Sequence, residues 1–440
     1  MFYKRVFTDS IAHYSYVIGD GKELVVIDPQ PELDIYLDIA REKGLKITKI
    51  LETHRNEDFL AGSRALADAT GARVYISAHD DLEYEFGEKI SDGHEFKLKG
   101  LEIKALHTPG HTKGHMSYVL YFKGNPYMVF VGDTCFYGDI GRTDFYGEEN
   151  LEEMTGKLYD SIFNVLMPLG DGVLMCPAHG AGSACGENTE ERPLTTLGYE
   201  RKHNPKLQYK SREEFIDANA KMLYKPDYFT YMEEMNLKGV EPLDCNPHMH
   251  IKYVDDLDLE SGYIIDIRSQ NAYNEAHIPG SIYMKEDEIV SFINWIVERD
   301  KDLCLVSDSS EDLDQLYVDL KRIGYTGKIS FLSGSIMSWI RAKKDVESID
   351  MVLPSQYESV KEDHFVLDVR KESEVEGKER PYKEGTLIPM EEITERYREV
   401  EDKKNIMVIC PSGIRSNISA SFLKMKGLDV SVLIGGLEAL

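Results

Sequence analysis

Four short stretches between positions 53 and 179 each run an apolar, strand-like segment into a turn that carries histidine or aspartate. They are Thr53–Gly62, Thr108–His111, Val131–Asp133 and Pro177–His179. Loops at strand ends are where a rigid scaffold holds reactive groups. His54, Asn56 and Asp58 fall close together on the first, and His111, Asp133 and His179 close the other three. Imidazoles and carboxylates delivered by four strand ends describe a metal site gathered at one edge of a sheet sandwich.

The surrounding pattern fits that architecture. Strand-like runs at 15–18, 24–27, 47–52, 72–77, 102–106, 116–122, 127–131 and 173–176 alternate with helix-like runs at 31–43, 59–70 and 151–166. Two sheets covered by helices account for the order. The charged stretch 202–231 reads as helical and closes a first domain over 1–245. A break follows at 239–250, where His248 and His250 read as linker residues because no cysteine or carboxylate stands at ligand spacing.

The 440-residue length predicts about three domains. With a net charge of −27, nucleic acid and anionic membrane are poor partners. No apolar run approaches the roughly 18 residues that span a bilayer, and Met1–Phe7 lacks a signal-peptide core. Six cysteines without a Cys-x-x-Cys pair predict free thiols and a cytoplasmic location. The sequence does not fix the oligomeric state, and a homo-oligomer is compatible with it.

The remainder repeats itself. Ile264–Arg268 matches Val366–Arg370, Leu303–Ser307 matches Ile406–Cys410, and Lys321–Gly324 matches Lys424–Gly427. Each copy reads strand, helix, strand, helix, strand, which predicts two small parallel α/β domains over 251–345 and 350–440. In the second, Cys410 follows an apolar strand and opens the loop Pro411, Ser412, Gly413, Ile414, Arg415 ahead of a helix. Successive backbone N–H groups in such a loop cradle an anion. The helix N-terminus and Arg415 favour thiolate, the nucleophilic form, so Cys410 and Arg415 are the catalytic candidates. The matching loop Ser307–Asp312 has no thiol and no arginine, and it carries three carboxylates. Cys304 sits inside the preceding strand and faces the core. The first copy is therefore expected to be inactive.

His54, Asp58, His111, Asp133 and His179 resemble the metal motifs of the metallo-β-lactamase superfamily. That family has histidine where Asn56 and Phe59 stand here, and a two-zinc hydrolase needs both imidazoles. His54, His111 and Asp133 remain, the two-imidazole, one-carboxylate set expected of non-haem Fe(II) with open positions for oxygen and substrate. The resemblance is to the persulfide dioxygenase branch, and it implies these three as ligands of one Fe(II) per chain. Gly141–Asp144 and the run Pro177–Gly186 match that branch, the latter in its rhodanese-fused members. The Asp-x-Arg strands, the His277–Ser281 turn and the Cys410–Arg415 loop resemble rhodanese domains. The implied fold is α/β: a metallo-β-lactamase αββα sandwich followed by two rhodanese-like domains.

The activity so implied is oxidation of a low-molecular-weight persulfide, such as glutathione persulfide, by O2 to sulfite. Rhodanese transfer then interconverts persulfide plus sulfite and thiosulfate. Asp58 and His179 are expected to hold ligands or water by hydrogen bonds. Asn56 could donate to substrate or to a ligand. Arg142 could pair with a substrate carboxylate or with Asp144. Cys185 could accept sulfane sulfur or simply fit a tight loop. His107 and His115 read as structural, and His13, His79, His94, His203 and His364 have no ligand-like context. Two alternatives stay open: a zinc thioester hydrolase with sulfurtransferase, and a sulfur carrier or sensor that consumes no oxygen.

Overall fold

The structure is a computed structural model that describes residues 1–183, 185–186, 189–226, 228–243, 249–257, 262–309 and 313–440. It divides into two compact units, one holding Met1–Cys245 and Arg322–Gly324 and the other Asn246–Lys321 and Tyr325–Leu440.

The first unit contains two six-stranded sheets. One runs in chain order from Phe2–Thr8 through His13–Asp20, Glu23–Ile27, Lys46–Leu51 and Arg73–Ser77 to Glu88–Ile90. The other places Asn125–Gly132 between Leu174–Pro177 and Met116–Phe122, with Leu101–His107 beyond. Alternation along each strand makes the layers. Val25 and Ile27 face the shared core with Tyr118, Leu120 and Phe130. Leu24 and Val26 turn outward to Tyr36, Ile39 and Leu66 of the covering helices Asp34–Lys43 and Ser63–Thr70. Each such fully buried aliphatic side chain contributes roughly 1.5–3 kcal/mol relative to exposure. This is the expected αββα sandwich.

Strand register brings the marked loops together. Asn125–Gly132 pairs in parallel with Leu174–Pro177, Gly132 opposite Pro177, so Asp133 and His179 leave neighbouring strand ends. The hairpin between Leu101–His107 and Met116–Phe122 turns at the same edge and carries His111. Met116 N donates to Thr53 O at 2.7 Å and joins the first loop to it.

Element ends differ from the sequence reading. The second helix starts at Ser63, not at 59, because tertiary hydrogen bonds hold the preceding backbone. Asn236, on the Tyr228–Lys238 helix, donates to Asn56 O and Phe59 O and accepts from Ala61 N. The stretch 202–231 is not one helix. Asn204 caps a new turn at Pro205, and Ser211 caps a separate helix Arg212–Asn219. Proline, lacking an N–H, cannot continue the first of these.

The second unit contains two five-stranded parallel sheets with the same strand order. Ile406–Ile409 occupies in one the place that Asp302–Val306 occupies in the other. His250 is not linker; it opens an edge strand, His250–Lys252, and is exposed. His248 lies outside the described residues. The helix Ile414–Met425 of the second sheet's domain meets the first repeat directly. Asn274 Nδ2 donates to Asn417 Oδ1 at 2.9 Å, and Tyr283 N donates to Ser421 Oγ at 3.0 Å. None of the helices among the described residues is long and apolar enough to cross a membrane.

Candidate functional site

At the shared edge of the sandwich, donor atoms of His54, His111 and Asp133 lie within 4.8 Å of one another, and all three residues are buried. Asp133 Oδ2 is 3.8 Å from His54 Nε2 and 3.5 Å from His111 Nε2. Both rings are oriented from behind. His111 Nδ1 faces the Arg142 carbonyl at 3.0 Å. Thr53 Oγ1 donates to Asp28 Oδ2 and so is an acceptor for His54 Nδ1, both at 2.8 Å. Such contacts fix the tautomer and leave Nε2 with its lone pair. His54 Nε2 has no hydrogen-bond partner among the described residues, and His111 Nε2 faces Glu57 Oε1 at 2.8 Å. Two imidazole nitrogens and a carboxylate oxygen gathered this closely fit a divalent cation of the iron or zinc type.

Electrostatics divide over that fit: burial lowers the His111 pKa, but Glu57, with Asp133 beyond it, raises it above the ordinary imidazole range. Burial pushes the His54 imidazole well below its ordinary range, keeping it neutral as a ligand must be. Burial alone would raise the Asp133 carboxyl, but His179, with His54 and His111 beyond it, takes it below the usual carboxylate range. Asp133 is further held by its backbone, whose N–H donates to His115 Nε2 at 3.0 Å. Two glycines make room. A Cβ on Gly132, at φ +51, would collide with the His115 ring, and one on Gly141 would collide with Asp133 O.

His179 bridges two carboxylates: Nδ1 is 2.8 Å from Asp133 Oδ1, and Nε2 is 3.1 Å from Asp58 Oδ2. Burial lowers its pKa, but Asp133 and Asp58 together hold it well above the usual imidazole range. Phe59, wholly buried, packs against His13 with ring centroids 4.3 Å apart and the planes tilted by 44°. An apolar ring thus stands where the family pattern has a ligand. Asn56 is buried, and neither its side-chain oxygen nor its side-chain nitrogen has a hydrogen-bond partner among the described residues.

Arg142 gives two hydrogen bonds of 2.7 Å to Asp144 and two longer ones to the Leu223 and Tyr224 carbonyls. Of the two roles open to it, the structure shows the ion pair. Cys185 is buried, and its sulfur groups with Asp58 and His179, and with Glu57 and His111, within 4.8 Å. Burial, then Asp58, Asp133 and Glu57, push its thiol well up. All five described cysteines are free.

The sulfur loop lies in the second unit. Cys410 is fully buried. Its Sγ accepts N–H bonds from Gly413 at 3.2 Å and Ser416 at 3.3 Å and lies 3.4 Å from Ser416 Oγ. Two backbone N–H groups of the loop and the helix start thus meet the sulfur. Arg415 differs from expectation: its guanidinium makes two bonds, 2.6 and 2.7 Å, to Glu374. A paired guanidinium attracts the sulfur less, so backbone N–H groups carry more of that task. Counting from the matched Arg268 and Arg370, the position of Glu374 falls on Ala272 in the first repeat. Residues 310–312 of its loop lie outside the described residues. Cys304 is buried in that repeat's core, as expected.

Sequence reasoning missed Glu57, His13 and Asn236. Glu57 is wholly buried with Oε1 2.8 Å from His111 Nε2. His13 joins the cluster through a backbone bridge to His179, with ring centroids 5.3 Å apart. For Glu57 the available signal was a charged residue between Asn56 and Asp58 in a loop that folds inward. Nothing local marked the other two.

Residues 9–179 match the metallo-beta-lactamase superfamily, and residues 250–342 and 354–440 match the rhodanese-like domain. The chain is 29% identical to the hydroxyacylglutathione hydrolase GloC of Haemophilus influenzae, over 45% of this chain and 93% of that one. It is also 29% identical to the mitochondrial persulfide dioxygenase ETHE1 of Bos taurus, over 53% of this chain and 87% of that one. A crystal structure of a metallo-beta-lactamase from Staphylococcus aureus superposes with a TM-score of 0.67 at 29% identity. It covers 76% of this chain and 98% of the other.

Proposed function

For a chain that joins a metallo-β-lactamase superfamily domain to two rhodanese-like domains, we propose an iron-dependent persulfide dioxygenase coupled to sulfur transfer. Residues 1–245 carry the oxygenase, 251–345 an inactive rhodanese-like domain and 350–440 the active one. His54, His111 and Asp133 would hold one ferrous ion. When bound, the ion supplies open positions at which dioxygen and the terminal persulfide sulfur meet. The overall change is RSSH + O2 + H2O → RSH + SO3²⁻ + 2H⁺. Cys410 thiolate then takes sulfane sulfur from RSSH, releasing RSH, and the Cys410 persulfide passes it to sulfite as thiosulfate. This second sequence runs in either direction. Joining the two raises the effective concentration of the shared intermediates. The compartment is taken as the cytoplasm, in keeping with the free thiols.

One observation carries the reading. The two positions that would complete a two-zinc hydrolase hold Asn56 and Phe59, whereas His54, His111 and Asp133 are all present with their donor atoms within 4.8 Å of one another. Asn56, Asp58, His179 and Cys185 are assigned to substrate or to holding the ligands, and Arg142 to bracing the loop through Asp144.

Anaerobically purified protein should hold one iron per chain and take up oxygen with glutathione persulfide. His111→Ala should lose iron and oxygen uptake together and keep rhodanese exchange. Two zinc per chain with thioester hydrolysis would instead support the hydrolase named by the first relative. Full iron and full oxygen uptake in His111→Ala would overturn the ligand assignment.

A further inference from the structure

Arg415 is the one cation of the Cys410–Arg415 loop, and a carboxylate already fills its fork. Nη1 donates to Glu374 Oε2 at 2.6 Å and Nη2 to Glu374 Oε1 at 2.7 Å, the paired geometry in which arginine also holds other oxyanions. A second tie keeps Glu374 in place, since its Oε2 accepts the Lys371 N–H at 2.8 Å. Another carboxylate stands by. The Glu391 side chain is 5% exposed with Oε1 3.7 Å from Lys371 Nζ, and its Oε2 has no hydrogen-bond partner among the described residues. Burial lowers the Arg415 pKa, but its bonds to Glu374, with Cys410 and Glu391 beyond, raise it above the ordinary value. One guanidinium thus feels the reactive sulfur and two carboxylates. Glu374 is the outer partner, its side chain 30% exposed against 17% for Arg415. An anion arriving from solvent therefore meets the carboxylate before the cation. In the first repeat the matching position is Ala272, third in its helix as Glu374 is in its own. The carboxylate goes with the loop that has the thiol and the arginine, not with the fold.

We propose that Glu374 is a specificity-determining residue of the Cys410 loop, a carboxylate that competes with dianionic sulfur compounds for Arg415. The proposal rests on the reading of Cys410 as the transfer cysteine and not on the metal site. With thiosulfate, Cys410 thiolate attacks the outer sulfur; the new S–S bond forms as the old one breaks, and the electron pair leaves on sulfite. With a persulfide, the same attack on the terminal sulfur releases RS⁻, and the proton stays on the Cys410 persulfide. Thiosulfate brings two negative charges to the loop, so it must take Arg415 from Glu374 or stand against both carboxylates. A persulfide brings at most one charge at its reacting end. The ion pair thus favours persulfide as the donor by repelling its competitor. Sulfite, also dianionic, faces the same competition as acceptor.

The test compares two donors on the full chain, thiosulfate and glutathione persulfide, with cyanide as the sulfur acceptor. It is run anaerobically so that oxygen consumes no persulfide, and Cys410→Ser supplies the uncatalysed background. Glu374→Gln keeps an oxygen for the Lys371 N–H and drops the charge. It should lower the thiosulfate KM by about threefold or more, and raise kcat/KM for thiosulfate relative to persulfide by as much. An unchanged KM would overturn the proposal. A raised KM would overturn it too, because it would mean that Glu374 holds Arg415 where a donor needs it. The same substitution made in Arg415→Ala should leave the thiosulfate KM within about twofold. An equal fall there would overturn competition through the guanidinium. Should Glu374→Gln not fold, Glu374→Ala, which matches Ala272 of the first repeat, decides by the same KM. Absence of Cys410-dependent transfer from either donor, in wild type and variant alike, would defeat the reading of Cys410 itself, a result distinct from all of these.

Discussion

His115 accepts the backbone N–H of Asp133 at 3.0 Å through Nε2, while Nδ1 lies 3.0 Å from Thr108 Oγ1 and 3.2 Å from Thr134 Oγ1. The histidine that follows the His111 turn therefore does not point at the cluster centre. It clamps the backbone that delivers Asp133. Burial pushes its pKa down to about 3, so the ring stays neutral and can accept.

That clamp makes a first prediction. His115→Leu leaves the Asp133 N–H buried and unpaired, at a cost of about 1–3 kcal/mol. Loosening the carboxylate should also weaken metal binding by about 10–100-fold. Thermal unfolding and iron titration read the two effects separately. Wild-type iron affinity in this variant would show that Asp133 is positioned without His115.

Cys410→Ser should leave oxygen uptake intact, because the proposed metal ligands lie in a separate unit, and should change the product from thiosulfate to sulfite. Cys410 is the described cysteine whose sulfur sits in a backbone N–H cradle. Early time points are needed, since sulfite reacts slowly with free persulfide. If Cys410→Ser still made thiosulfate at the wild-type rate and Cys185→Ser did not, transfer would belong to the first domain.

The first repeat should act through packing, not chemistry. Ser307→Ala should leave sulfur transfer unchanged, since a serine without a base is no sulfur nucleophile. Asn274→Ala should slow it, because Asn417, its partner, lies next to Ser416, whose N–H meets the Cys410 sulfur. Transferase rates of the two variants, compared at matched folded fraction, test this. A large loss in Ser307→Ala alone would give the first repeat a chemical role.

Glu374 sets an acid limit for the sulfur loop. Burial raises its pKa, but the hydrogen bond from Arg415 and a backbone N–H bring it below the ordinary glutamate range. A depressed folded pKa means the pair's stabilisation is full above the unfolded value and is lost as pH falls through the lowered folded one. Half-exposure and solvent screening keep the contribution small. Glu374→Gln should flatten the acid side of the rhodanese unit's stability profile, measured by urea unfolding across pH. An unchanged acid slope would show that the pair carries no weight in solution.

The strands, the four loops and the tandem repeat were legible because they are local. Alternating burial of Leu24 and Val26 against Val25 and Ile27, a glycine turn after Val131 and the Cys410–Arg415 spacing are each written within a few residues. Chain order and repetition then gave the αββα sandwich and its two parallel-sheet companions. The end of a local signal marks its limit. The helix expected from Phe59 waits until Ser63 because Asn236, 177 residues beyond Phe59, holds the Asn56 and Phe59 carbonyls and the Ala61 N–H.

The sequence by itself determined which residues could bind a metal or carry sulfur, because ligand chemistry belongs to residue type. Tertiary structure decided what each one faces. It joined Arg415 to Glu374, set His115 behind Asp133, brought His13 beside His179 and turned Glu57 onto His111. Those pairings follow from strand register across two sheets and from side chains meeting over long loops. Burial raises the cost of leaving any of them unpaired, and no pattern of nearby residues encodes that constraint.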